Sequence, residues 1–181
     1  MNRVDALREI AATPALRVCN LGYPSRELFH VRDDPTTFYM LGSMGLASSV
    51  GLGLALVQSR RVVAIDGDGS VLMNLGTLST IAHFAPAHFT LVILDNGTHG
   101  STGDQPTHSS LGTDLARVAS ACGVARVRSV DTPQGLRATL DESGGSVIVA
   151  RIEPGNADVP PVPLTGPHLR DRFQNAVGAI P

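Results

Sequence analysis

Two stretches decide the fold: Val62-Val63-Ala64-Ile65-Asp66 running into Gly67-Asp68-Gly69-Ser70, and Thr90-Leu91-Val92-Ile93-Leu94 running into Asp95-Asn96-Gly97-Thr98. Each begins as a short, β-branched, apolar run, which reads as a buried parallel strand. Each closes in a polar turn. Between them, Leu72 to Phe84 carries Leu75, Leu78, Ile81 and Ala82 at helical spacing and predicts one helix. The unit is strand–turn–helix–strand, with both polar turns at the carboxyl ends of the strands. In open α/β sheets that edge is where ligands bind.

Working outward, the same alternation continues. A helix is expected over residues 3–12, a strand over Arg17–Gly22, and a helix from Pro24 with Ser25 as its N-cap. A strand over Thr37–Leu41 leads through Gly42-Ser43-Met44-Gly45 into a helix over Leu46–Gln58. Gly and Ser on one side of that helix would let a backbone or a flat ring approach closely. After Asn96 comes a long polar loop, 98–110, then a helix over Leu111–Cys122 entered near Asp114, a strand over Val124–Val130, a helix over Pro133–Glu142 and a strand over Val147–Ile152. The expected class is α/β: a doubly wound, mainly parallel sheet flanked by helices, occupying residues 1–153. Residues 154–181 form a tail, a proline-rich arm followed by a short helix with Leu169, Phe173, Ala176 and Val177 on one face.

Composition narrows the classes. A formal charge of −2 with no basic or acidic block gives no sign of a nucleic-acid or membrane-surface partner. Cys19 and Cys122 are too few for a disulfide framework or a zinc site, so a reduced, cytoplasmic protein is expected. Residues 35–59 carry no charge but are too rich in Gly and Ser for a membrane span; they read as a buried strand, a turn and a helix. The N-terminus lacks the apolar core of a signal peptide. Neither a P-loop nor a dinucleotide fingerprint occurs.

The polar turns suggest their ligand. Asp68 offers an anionic oxygen, Asn96 a neutral carbonyl, and the turn beyond it the backbone carbonyl of Thr98. Mg²⁺ takes octahedral oxygen ligands, few of them from protein, and completes its shell with phosphate and water. The amides of Gly69 and Ser70 would face an anion at a helix start. A diphosphate bridged to Mg²⁺ fits this arrangement.

Gly67-Asp68-Gly69-Ser70 followed by Asn96, 28 residues after Asp68, resembles the cofactor motif of thiamine-diphosphate enzymes. The resemblance implies that Asp68, Asn96 and the Thr98 carbonyl hold Mg²⁺ and that Gly69 and Ser70 cradle the diphosphate. It implies too that the Gly42 carbonyl meets the cofactor's amino group beside Ser43, and that Met44 wedges between its two rings. The branch is narrower still. Phe38 to Ser49, Asn20-Leu21-Gly22 with Pro24 to Leu28, Gly100-Ser101-Thr102-Gly103 and Pro154 to Ala157 resemble the β subunit of sulfopyruvate decarboxylase and the C-terminal half of phosphonopyruvate decarboxylase. Where the latter carry a run like STGGQPT, this chain has Asp104 at the second glycine.

What this implies is decarboxylation of a small anionic 2-oxo acid, sulfopyruvate or phosphonopyruvate, to the aldehyde and CO₂. The catalytic glutamate of such enzymes sits on a pyrimidine-binding domain for which this chain has no stretch, so an alpha subunit supplying that Glu, in a hetero-oligomer, is implied. By the same resemblance His99 is a candidate for substrate binding or proton transfer, with His108 a weaker one. Other uses of the same cofactor are a carboligase and the β subunit of a 2-oxo acid oxidoreductase; a metal-nucleotide binding module is the non-enzymatic alternative.

Overall fold

The structure, a computed structural model, describes residues 1–142 and 144–178. Its centre is the pair predicted from the sequence. β3 (Val62–Gly67) and β4 (Phe89–Asp95) run parallel, with Gly67 opposite Leu94. Around them stand β1 (Leu16–Cys19), β2 (Thr37–Tyr39), β7 (Val127–Val130) and β8 (Ser146–Arg151). The six strands form one wholly parallel sheet in the order β2-β1-β3-β4-β8-β7.

Successive strand side chains point to opposite faces, and both faces are apolar. Val63, Ile65, Val92, Leu94 and Ile148 pack beneath α1 (Arg3–Ala12), α2 (Tyr23–Val31) and α7 (Pro133–Asp141). Val62, Ala64, Leu91, Ile93 and Val147 pack beneath α3 (Ala47–Val57), α4 (Asp68–Met73), α5 (Gly76–Phe84) and α6 (Leu115–Ala121). That is why the strands read as continuous apolar runs rather than alternating ones.

The helix expected over 72–84 is two. Apolar spacing continues through the junction, but α4 ends at Met73 and Asn74 leaves the helix to hydrogen-bond elsewhere. Ser25 is not an N-cap: α2 starts after Gly22, and the Ser25 hydroxyl donates to the Asn20 carbonyl at 2.6 Å. Strand β2 stops at Tyr39, leaving Leu41 exposed. Helix α6 begins only at Leu115, because Asp114 caps it by accepting from the Ala116 and Arg117 amides. The small residues of α3 serve the sheet rather than a ring: a Cβ on Gly51 would lie 2.8 Å from that of Ala64.

The 154–165 segment is extended and runs back over the first face, where Val162 and Leu164 pack beside Leu169 of α8 (Gly166–Val177). Phe173 lies against Phe38, and Arg172 pairs with Asp33 at 2.8 Å. The end of the expected tail, 179–181, lies outside the described residues. Among those residues no helix is long and apolar enough to cross a membrane.

Asp66 is the polar exception inside β3. It is wholly buried, and its Oδ2 has no hydrogen-bond partner. Burial pushes its carboxyl up to about 6, offset only in part by hydrogen bonds such as that from the Gly67 amide. A raised folded-state value means its contribution to stability is full below about pH 4 and is lost as pH rises through 6. Asp66→Asn keeps the shape without the charge. It is expected to gain about 1.4 kcal/mol relative to the parent between pH 5 and pH 8. Urea midpoints at the two pH values check this; an equal change at both would sink it.

Candidate active site

Strand order reverses between β1 and β3: the chain leaves β1 toward β2 and leaves β3 toward β4. The carboxyl ends at such a point form the ligand crevice of an open α/β sheet. A cavity of about 200 Å³ opens there, walled by Asn20 and Leu21 after β1, Gly67 to Ser70 after β3, and Asn96, Thr98 and His99 after β4. Helices α2 and α4 both start at this cavity, and the residue before each makes no side-chain cap bond. By contrast α1, α6 and α7 are capped by Asn2, Asp114 and Thr132. Uncapped first-turn amides directed at a cavity suit an anion.

Asp68 is only 2% exposed, a buried first residue of α4 rather than the solvent-edge turn its neighbours suggest. Its two oxygens have different surroundings. Oδ2 accepts from the Thr107 hydroxyl and, at 2.7 Å, from that of Ser109. Oδ1 faces the Asn96 amide, whose nearer outer atom lies 3.1 Å from it and 2.9 Å from the Thr98 carbonyl oxygen. As nitrogen, that atom would donate to both. As oxygen, it stands from each of the other two at close to the edge of a magnesium octahedron, about 2.9 Å for bonds of about 2.0–2.1 Å. The donor set is therefore the one a hard divalent cation takes: one carboxylate, one amide oxygen and one backbone carbonyl.

The diphosphate cradle fits as well. A Cβ built on Gly69 would lie 2.5 Å from His99 Cε1 and 3.1 Å from Thr107 Cγ2, so only glycine lets the His99 ring and Thr107 close on this turn while its amide stays at the cavity. The Ser70 side chain does not point to an anion; its hydroxyl accepts from the Gly45 amide at 2.8 Å, leaving its backbone at the cavity. Asn74, one turn on, donates to the Gly45 carbonyl at 2.9 Å. Both backbone groups of Gly45 are thus held by side chains of the 68–74 segment. Gly45 and Ser43 adopt positive φ, 92° and 61°, in the loop that places Met44 in the cavity wall. Gly42 and Ser43 lie outside that wall.

Loop 98–110 is not structureless. β5 (Thr98–His99) and β6 (Gln105–Pro106) form a small antiparallel hairpin that returns Thr107 to Asp68. Asp104 has φ 56°, the left-handed region that glycine fills in the related run and that Asp tolerates. Gly100 and Ser101 line the cavity, and Asn156 donates to the Gly100 carbonyl at 2.9 Å. The His99 ring lies over Gly69 within the cavity, while His108 is exposed and outside it.

Thr107, Ser109, Asn74 and Arg3 are the residues that sequence reasoning missed. Ser109 also bridges to Asp95 at 2.8 Å, and burial raises the Asp95 carboxyl above its ordinary value. Arg3 lines the cavity while paired with Glu27 through two bonds of 2.9 and 2.8 Å. Only Thr107 had a signal, its place at the end of the Ser101–Thr107 run.

This switch-point cavity, with its oxygen triad and glycine floor, belongs to a diphosphate- and metal-binding α/β domain. Residues 21–150 match the thiamine pyrophosphate enzyme C-terminal TPP binding domain, and the chain belongs to that family. It is 49% identical to the sulfopyruvate decarboxylase subunit beta of Methanococcus maripaludis, over 91% of this chain and 90% of that one. It is 43% identical to the phosphonopyruvate decarboxylase of Streptomyces viridochromogenes, over 86% of this chain but only 41% of the longer relative. A solved structure of a Mycobacterium smegmatis protein described as thiamin diphosphate-dependent superposes with a TM-score of 0.68 at 23% identity, across 86% of this chain and 32% of that one. The last likeness concerns the fold alone.

Two substitutions probe the assignment. Asp68→Ala removes the one carboxylate in the cavity wall and is expected to abolish Mg²⁺-dependent binding of thiamine diphosphate in isothermal titration. Near-native affinity would remove Asp68 from the metal. Gly69→Ala should displace His99, whose ring would lie 2.5 Å from the new Cβ, and weaken cofactor binding; unchanged affinity would mean that the diphosphate does not rest on this glycine.

Proposed function

We propose that this chain is the diphosphate- and Mg²⁺-binding subunit of a two-chain, thiamine-diphosphate-dependent 2-oxo acid decarboxylase acting on sulfopyruvate or phosphonopyruvate. The observation that carries this is a half-built site. The cavity brings Asp68, Asn96 and Thr98 together beside Gly69, and among the described residues its wall contains no glutamate. Glu27, the nearest candidate before the motif, is 2% exposed and committed to Arg3 and to the Ala157 amide at 3.0 Å. At about 200 Å³ the cavity is smaller than the roughly 300–1,000 Å³ of a complete small-molecule site.

Bound thiamine diphosphate would act as the sink for the electron pair that remains when CO₂ leaves. In this reading the chain's own residues position and exclude. Asp68, Asn96 and the Thr98 carbonyl hold the metal; the amides of Gly69 and Ser70, with Gly100 and Ser101, receive the diphosphate; Met44 supports the ring system beside Gly42 and Ser43. His99, over the cradle, is the residue assigned to substrate binding or proton transfer. An anionic substrate is supported by the Arg3 guanidinium and the Ser101 and Thr102 hydroxyls in the wall.

The second wall belongs to a pyrimidine-binding alpha subunit that brings the glutamate. An uncharged rim supports this: Leu41, Met44, Leu46 and Val50 are exposed beside the cavity and along α3, where a Cβ on Gly53 would touch nothing. The relative that matches almost end to end carries the word subunit in its name, and the longer Streptomyces relative carries more than twice this length in one chain. Two free cysteines, one wholly buried, accord with a cytoplasmic setting.

The purified chain, loaded with cofactor and Mg²⁺, is expected to be catalytically silent and to turn over only when mixed with its partner. Decarboxylation by the chain alone at about 1 per second or faster would refute the split site. With the partner present, kcat/KM for sulfopyruvate or phosphonopyruvate should exceed that for pyruvate by at least ~10-fold, about 1.4 kcal/mol of differential binding; equal values would remove the anionic-substrate reading.

A further inference from the structure

We infer that Thr107 and Ser109 make the metal position selective for magnesium over calcium, by confining Asp68 to a single ligating oxygen. This rests on the reading of Asp68, Asn96 and Thr98 as the metal ligands. A carboxylate oxygen offers two lone-pair directions, and both on Asp68 Oδ2 are taken, one by the Thr107 hydroxyl and one by Ser109 at 2.7 Å. Only Oδ1 is left to a cation, so Asp68 cannot bind through both oxygens. Calcium commonly takes carboxylates bidentately within six to eight ligands, whereas magnesium takes six ligands in a strict octahedron.

The spacing points the same way. The facing atom of Asn96 stands 2.9 and 3.1 Å from the other two oxygens. Calcium bonds of about 2.3–2.6 Å would spread octahedral edges to roughly 3.3–3.7 Å, so calcium would have to draw Asp68 and Asn96 apart. The two hydroxyls oppose that movement because they are themselves anchored. Thr107 is buried, its amide donates to the Gly97 carbonyl at 2.9 Å, and its carbonyl accepts from the Ser110 hydroxyl at 2.8 Å. The Ser109 hydroxyl has one proton and shares it between Asp68 Oδ2 and Asp95 Oδ1, the latter 2.8 Å away at the end of β4. The two hydroxyls lie 2.8 Å from each other. Because Thr107 keeps its backbone bonds without its hydroxyl, Thr107→Val is expected to fold.

Magnesium and calcium titrations of the full chain with thiamine diphosphate, followed by calorimetry, test this on the parent, Thr107→Val, Thr107→Ser and Ser109→Ala. Losing an outer-shell partner of a metal ligand lowers affinity by about 10–100-fold. That loss is expected for magnesium in Thr107→Val and Ser109→Ala. Calcium affinity should fall far less, so the magnesium-to-calcium ratio drops at least tenfold, and Thr107→Ser should restore it. An equal fall for both ions would overturn the proposal, since hydroxyls that merely satisfy a buried carboxylate treat the ions alike. A parent that binds neither ion, or an Asp68→Ala chain that binds both as the parent does, would instead overturn the metal assignment itself.

Discussion

A buried carboxylate that must be satisfied from two sides is the constraint on which the site depends. Asp68 is removed from water at the end of β3, where an unpaired charge would be strongly disfavoured. One oxygen is met by hydroxyls of the protein, and the other faces an amide and a backbone carbonyl that a cation would draw together. Two separate segments deliver these partners. Parallel pairing of β3 and β4, with Gly67 opposite Leu94, brings Asp68 level with Asp95 and so next to Asn96. The hairpin after β5 then folds back far enough to return Thr107 and Ser109. A slip of one residue between β3 and β4 would carry Asp68 past Asp95 and so away from Asn96.

The same short helix connects the two ends of the cofactor site. Ser70 and Asn74 lie four residues apart on one side of the 68–74 segment, and each takes one backbone group of Gly45. The loop that carries Met44 includes a serine at positive φ, a conformation that persists only where surroundings impose it. Here the imposing contacts come from the segment that begins with the metal ligand. The position of Met44 and that of Asp68 are therefore set by one rigid element rather than by two independent loops.

This explains what the sequence could and could not disclose. The strands, their direction and the site at their carboxyl ends were legible because burial on both faces makes short apolar runs, and turns of Gly, Asp and Asn punctuate them. The convergence of Asp68, Asn96 and Thr98 was legible because their spacing is local to one strand–helix–strand unit. The break at Asn74 was not, since the apolar pattern runs on through it and the cause is a hydrogen bond to Gly45, 29 residues away. Thr107 and Ser109 were hidden for the same reason: their partner is 39 and 41 residues distant, and a hydroxyl in a polar loop carries no period. Ser25 had the right residue type for a cap, but the chain turned into α2 three residues earlier at Gly22 and left its hydroxyl to the Asn20 carbonyl.

The one buried ion pair near the cavity bears on why the site is only half built. Arg3 and Glu27 bury opposite charges, a combination that stabilises only when every remaining donor and acceptor is met. The tail supplies several of these: Arg3 Nη2 also lies in reach of the Gly155 carbonyl and Asn156 Oδ1, and Glu27 accepts from the Ala157 amide. Asn156 in turn holds Gly100 beside the cavity. The N-terminal helix, α2, the start of the proline-rich arm and the loop after Asn96 are thus joined through one guanidinium. Freeing Glu27 for proton transfer would leave Arg3 unpaired and release the arm, so the glutamate that lies nearest in sequence is structurally unavailable. Glu27 therefore serves as the structural counter-charge of Arg3, and its carboxylate is kept out of the cavity wall.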